Sequence, residues 1–194
     1  MIRLQRELST LTLVTIPVAI AINVVVGQLA LLVKVPLYLD SIGTILVGVF
    51  AGPWAGALTG FLSNVIWTVA GWWTPAIAFA GVAAIIGALA GAFAQAGWFR
   101  RWWRAALAGL LTGLVAAVVS APIATFVFGG VMGSGTDAIV ALARSIGLTS
   151  LGANMAQGAF SDPLDKAISY LLVWGLLRAL PKRFLARFPR VALA

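Results

Sequence analysis

The amino-acid sequence predicts an all-α integral membrane protein: one domain over residues 1–194, folded as a bundle of six transmembrane helices, with a short helix in the extracellular loop between the fifth and sixth. Three observations predict it. The chain is 62% apolar and only 9% charged, against about 25% charged in ordinary soluble domains. Its apolar residues fall into runs on the scale of the roughly 20 residues that cross hydrocarbon as a helix. Its thirteen Lys and Arg gather in short clusters between those runs, as anchors beside a bilayer do.

The first run covers residues 11–33. Arg3, Arg6 and Ala19-Ile20-Ala21 mimic a signal peptide, but a cleavable signal has an apolar core of only about 7–15 residues, so an uncleaved helix is expected. The second run, 37–51, is short, with Asp40 capping or interrupting its start, and Gly52-Pro53 makes a turn. The third, 54–70, ends at Gly71-Trp72-Trp73. The fourth, 75–98, opens on Pro75, whose fixed φ suits a helix start. The fifth, 103–131, carries Pro122 as a kink. Residues 133–161 read as a loop too polar to face lipid, and Ile139, Leu142, Ala143 and Ile146 give its 137–146 stretch helical spacing. The last run, 163–180, is bracketed by Asp162 as N-cap and Pro181 as stop.

Six spans put both termini on one side. That side carries Arg3, Arg6, Arg100, Arg101, Arg104, Arg178, Lys182, Arg183, Arg187 and Arg190; the other carries Lys34, Arg144 and Lys166. Ten against three predicts a multi-pass protein of the cell membrane with both termini cytoplasmic.

The net charge of +8 suggests no nucleic-acid partner, because the basic residues are juxtamembrane. With no Cys and no His, disulfides, thiol chemistry, ordinary zinc sites and histidine base catalysis are absent. No phosphate loop of the form G-x-x-x-x-G-K-[ST] occurs. Neither enzyme activity, nor a cofactor, nor a metal site is expected of this chain. Gly52, Gly56 and Gly60, Gly87 and Gly91, and Gly109 and Gly113 form G-x-x-x-G patterns. These serve close packing inside the bundle or a sliding surface for another membrane subunit.

Polar side chains inside a membrane are functional candidates by default. In this topology Gln28, Asp40, Asn64, Trp67, Asp162, Asp165 and Lys166 share the outer half, with Trp72, Trp73, Asn154 and Gln157 in the outer loops. An outward polar and aromatic pocket is the expectation, with Asp40, Asn64, Trp67, Trp72, Trp73, Asn154, Gln157, Asp165 and Lys166 as substrate-binding candidates. Each has a plainer role open to it. Asp162 and Lys166, one turn apart, pair. Asp165 points about 100° from Lys166 and is freer to meet a ligand. Trp72 and Trp73 form an interfacial belt or a binding wall. Asn64 makes an interhelical hydrogen bond or touches ligand. The tryptophans favour a planar heterocycle, since aromatic rings supply stacking area.

Over nearly its whole length the chain resembles the S components of energy-coupling factor (ECF) transporters, small six-helix proteins that bind vitamins and related micronutrients. The resemblance is carried by Pro36-Leu37-Tyr38-Leu39-Asp40-Ser41-Ile42-Gly43-Thr44, by Gly52-Pro53-Trp54-Ala55-Gly56-Ala57, and by Asp162-Pro163-Leu164-Asp165-Lys166 leading to Leu180-Pro181-Lys182-Arg183. It implies high-affinity binding of a small vitamin-like substrate from outside. Docking on a shared module of one transmembrane coupling subunit and two cytoplasmic ATPase subunits follows, with the body toppling in membrane lipid. Many S components dock through an Ala-x-x-x-Ala pattern in the first helix. Here that stretch reads Pro17-Val18-Ala19-Ile20-Ala21-Ile22-Asn23, with Ala19, Ala21 and Gly27 as docking candidates.

Two other function classes compete. A stand-alone secondary transporter for a small solute would often show internal repeats with paired broken helices, and no repeat is evident. A membrane enzyme would need catalytic residues that the chain lacks.

Overall fold

The computed structural model describes residues 7–188, which contain helices and no strand. Helix α1 (Thr10–Leu32) starts at Ser9, whose hydroxyl accepts the Thr12 N–H. Helix α2 (Ile42–Ala51) turns at Gly52 directly into α3 (Pro53–Val69). Gly52 has φ +121°, a conformation side chains disfavour, and Pro53 then sits where no N–H is needed. A 3₁₀ segment (Thr74–Phe79) feeds α4 (Ala80–Gln95), and another (Trp98–Arg100) precedes α5 (Trp102–Phe128). Then come α6 (Asp137–Ser145), α7 (Ser150–Ala179) and the short α8 (Lys182–Leu185). Three stretches, Thr10–Leu32, Thr74–Gln95 and Trp102–Phe128, are long and apolar enough to cross a membrane.

Two boundaries differ from the sequence expectation. Helix α2 begins at Ile42, not Leu37. The chain before it is diverted: Leu39 has φ +53°, and the Tyr38 and Leu39 N–H groups donate to the Asp165 carboxylate at 3.1 and 2.7 Å. Ten residues span about 15 Å, half of the hydrocarbon thickness. The second difference is larger. Asp162 does not cap the last helix; α7 begins at Ser150, where the Thr149 hydroxyl accepts the Gly152 N–H, and runs through Pro163. Proline removes one backbone donor, and a closely packed neighbour helix allows a membrane helix to tolerate that loss. The expected polar loop therefore shrinks to two short connections around α6.

Packing divides the helices into two closed pairs. On one side α3 crosses α4 so tightly that a Cβ on Gly87 would overlap the Gly56 carbonyl. On the other, α5 crosses α7 with Gly113 against the backbone of Asp162 and Pro163. The glycine patterns thus lie at internal crossings, as the packing alternative expects. Helices α1 and α2 flank the first pair, and α6 rests on α7 through Val140, Ala143 and Ala153.

Two buried polar junctions hold the first group. Asn23 donates to the Thr44 and Ser63 hydroxyls at 2.7 and 2.9 Å and accepts from the Gly43 and Thr44 N–H groups. All of its hydrogen-bonding capacity is used. Glu7 accepts the Trp54 and Ala55 N–H groups at 2.8 and 3.3 Å, placing a carboxylate where a helix start favours negative charge. At that same end Phe50 stacks on Phe188 at 4.5 Å, and Arg178 donates to the Arg100 carbonyl.

Candidate functional site

The opposite end gathers three connections, 33–41, 70–73 and 129–136. Lys34 donates to the Gly133 carbonyl, and the Trp73 indole N–H to the Met132 carbonyl at 3.2 Å. Asp137 accepts the Met132 and Gly133 N–H groups and fixes that turn.

Beneath them, α7 presents Asp162, Asp165 and Lys166 in one turn. Lys166 does not pair with Asp162. Its ammonium donates to Asp165, to Asp40 at 3.2 Å and to the Ser41 hydroxyl at 2.8 Å. An ammonium has three N–H bonds, and all three are thereby used. Asp165 is fully buried and is engaged by Lys166 as well as by the Tyr38 and Leu39 N–H groups. The expectation that Asp165 is free of Lys166 is corrected: adjacency in sequence does not stop a long, flexible side chain from folding back. The pair holds the 37–41 segment onto α7.

Between the two closed helix pairs lies a cavity of about 60 Å³. Tyr38, Asp40 and Ser41 line it from the first connection, and Trp73 and Met132 from the other two. Asn64 of α3, Phe79 and Val82, Ser120 and Ala121 of α5, and Gln157, Asp162 and Lys166 of α7 complete much of the wall. Asp162 is only 5% exposed, and the Ser120 hydroxyl donates to it at 3.3 Å. The Tyr38 hydroxyl meets Thr136 at 3.2 Å and Gln157 at 3.3 Å. Trp73 and Phe79 lie nearly parallel, 6.2 Å apart at 7°. The cavity thus combines an aromatic pair with carboxylate groups on its wall.

Among the sequence candidates, Asp40, Asn64, Trp73, Gln157 and Lys166 come together on this wall. Trp67 stands one layer behind, 5.3 Å from Trp73, with its N–H donated to Gln28. Asp165 is behind the wall. Asn154 is buried elsewhere on α7, donating to the Ser150 carbonyl and touching Gly130. Trp72 is 53% exposed and borders an apolar groove formed by α1 and α3, away from the cavity. Among the docking candidates Ala19 and Gly27 face inward, against Gly43 and against Trp67 and Asp40. Both are buried, and of the three only Ala21 is presented outward.

Sequence reasoning did not nominate Tyr38, Ser41, Phe79, Ser120, Met132 or Asp162 as pocket residues. Ser120 and Asp162 did carry a signal, as polar groups in or beside apolar runs. Asp162 was read as a helix cap instead, and Ser120 was not singled out.

A family model described as ECF transporter, substrate-specific component, matches residues 11–188. The chain belongs to that family. No curated protein and no solved structure matches it. An ECF substrate-specific component is the membrane subunit that selects what the transporter carries, and the family implies association with an ECF module. The long apolar helices agree with a multi-pass membrane protein. In this substrate-specific component the cavity between the closed pairs is where polar and aromatic groups converge around open space.

Proposed function

We propose that this chain binds a small water-soluble vitamin or heterocyclic precursor at high affinity for uptake across the cell membrane, energised by a separate coupling subunit and two cytoplasmic ATPases. The carrying observation is the cavity, at the end of the bundle remote from Arg100 and Arg178. In the six-span reading, α1 to α5 and α7 are the spans, both termini are cytoplasmic and the cavity end is external. The cavity holds several waters at its present size, less than a vitamin occupies, so loading requires its covering connections to yield. The coupling subunit docks on the apolar groove along α1 and α3, where Leu13, Ala21, Val25 and Ile66 are exposed.

The test is uptake in cells with and without a co-expressed ECF module, alongside mass spectrometry of ligand released from the purified chain. Binding without the module and accumulation only with it is the expected result. Accumulation against a gradient in cells lacking such ATPases would sink the proposal in favour of a stand-alone transporter.

A further inference from the structure

The cavity end holds two buried carboxylates, Asp162 and Asp165, a partly exposed third, Asp40, and one buried ammonium, Lys166. Their formal sum is −3 + 1 = −2. The ammonium is spent, since Asp165, Asp40 and Ser41 take its three N–H bonds. Nothing on Lys166 remains to meet an anion in the cavity.

Asp162 is different. Among the described residues it belongs to neither ion pair, and its recorded hydrogen bond, from Ser120, is long at 3.3 Å. It nevertheless lines the open space and is almost wholly buried. A buried carboxylate without an ion-pair partner is disfavoured. Packing does not force this one: the same helix turn that carries it closes tightly on Gly113 through its backbone, leaving the side chain directed to the void. Trp73 and Phe79 line the same cavity, nearly parallel and able to stack on a flat ring. Asn64 and Gln157 add amide groups that read a polar ring edge.

Resting on the reading of this cavity as the substrate site, we propose that it takes a planar nitrogen heterocycle presenting a cationic or multiply N–H-donating edge to Asp162, and that it rejects carboxylated and phosphorylated compounds. The incoming donor supplies the partner that Asp162 lacks, while an anion meets an unscreened carboxylate and a committed lysine.

The test uses the full chain in lipid nanodiscs and thermal stabilisation by ring compounds of matched size: benzamidine and 4-aminopyridine as cations, 4-aminopyrimidine as a neutral donor, and benzoate and nicotinate as anions. Cations are expected to stabilise most and anions least. Asp162→Asn should weaken binding of the cations by about ten- to hundredfold and erase the ranking. In the ligand-free protein Asp162→Asn should not lower the melting temperature, because the carboxylate has no ion pair to lose; a structural role would lower it. Ser120→Ala, a smaller change at the same carboxylate, should alter the ranking without loss of folded protein. Preference for anions, or a ranking unchanged by Asp162→Asn, overturns this inference and leaves the site reading standing. No stabilisation by any compound, together with a released ligand that fails to protect Asn64 and Gln157 variants differently from the parent, overturns the site reading itself.

Discussion

The α3–α4 crossing and the space between the two helix pairs are built on opposite plans. At the crossing, Gly56 and Gly87 bring two backbones into contact and leave no room for a methyl group. Between the pairs a void stays open although Val82, Ala83, Ile86, Ala116 and Ala121 could be replaced by larger apolar residues. The chain closes helix pairs completely where it does so at all, at α3–α4 and again at α5–α7. The opening between the pairs is therefore not a failure of packing. It is the place where close association is withheld, and polar groups costly in a membrane protein are set around it.

The strongest test of that contrast is a matched pair of substitutions. Gly87→Leu should prevent recovery of monodisperse folded protein, because the obstructing atoms are backbone and the cost exceeds the about 1–3 kcal/mol of ordinary overpacking. Ala121→Leu places the same side chain toward the void, adding three carbons to the native one. It should fold, losing less than about 1.5 kcal/mol, while ligand binding falls by at least about tenfold. Size-exclusion profiles and binding isotherms check both; equal behaviour of the two variants would remove the distinction.

A smaller effect separates two acids on one helix turn. Asp165→Asn breaks a buried ion pair and weakens the hold on the Tyr38 and Leu39 N–H groups, so it should cost about 3–5 kcal/mol of stability, read as a lowered unfolding midpoint. Asp162→Asn should not. Similar destabilisation by both would place Asp162 in the scaffold.

The smallest effect is expected from Trp72→Ala. The ring is half exposed beside the α1–α3 groove, so stability should change by no more than about 0.5 kcal/mol and ligand affinity should hold. Uptake with the ECF module would fall if the groove docks the coupling subunit, and loss of ligand affinity instead would return Trp72 to the pocket.

Much of the helical order was readable because apolar runs report burial or lipid directly. Thr10–Leu32 and Trp102–Phe128 lie within a few residues of the expected bounds. The failures share a cause. Asp162-Pro163 has the local signature of a helix start, yet the residues upstream, Ser150 to Ser161, form a helix capped by Thr149, and a neighbour's glycine accepts the proline. Local capping rules do not see that neighbour. Asn23 was read as part of a docking stretch, and only the fold shows that it joins α1, α2 and α3. For the site, residue type and depth brought Asp40, Asn64, Trp73, Gln157 and Lys166 to notice. Composition cannot tell that Lys166 is saturated, because that depends on which acceptors the 37–41 segment carries back to α7.

The Asp165 clasp also has a kinetic meaning. It fastens the segment bearing Tyr38 and Asp40 to the helix that carries Asp162, so that part of the mouth moves with α7 as one rigid jamb. Facing it, Trp73 reaches the 129–136 turn through a single hydrogen bond to the Met132 carbonyl. Parting that contact costs far less than releasing a buried ion pair and two backbone donors. In the proposed reading of the cavity as the substrate site, entry is expected to follow the opening of the Trp73–Met132 contact, so that this contact sets the association rate more than the equilibrium affinity.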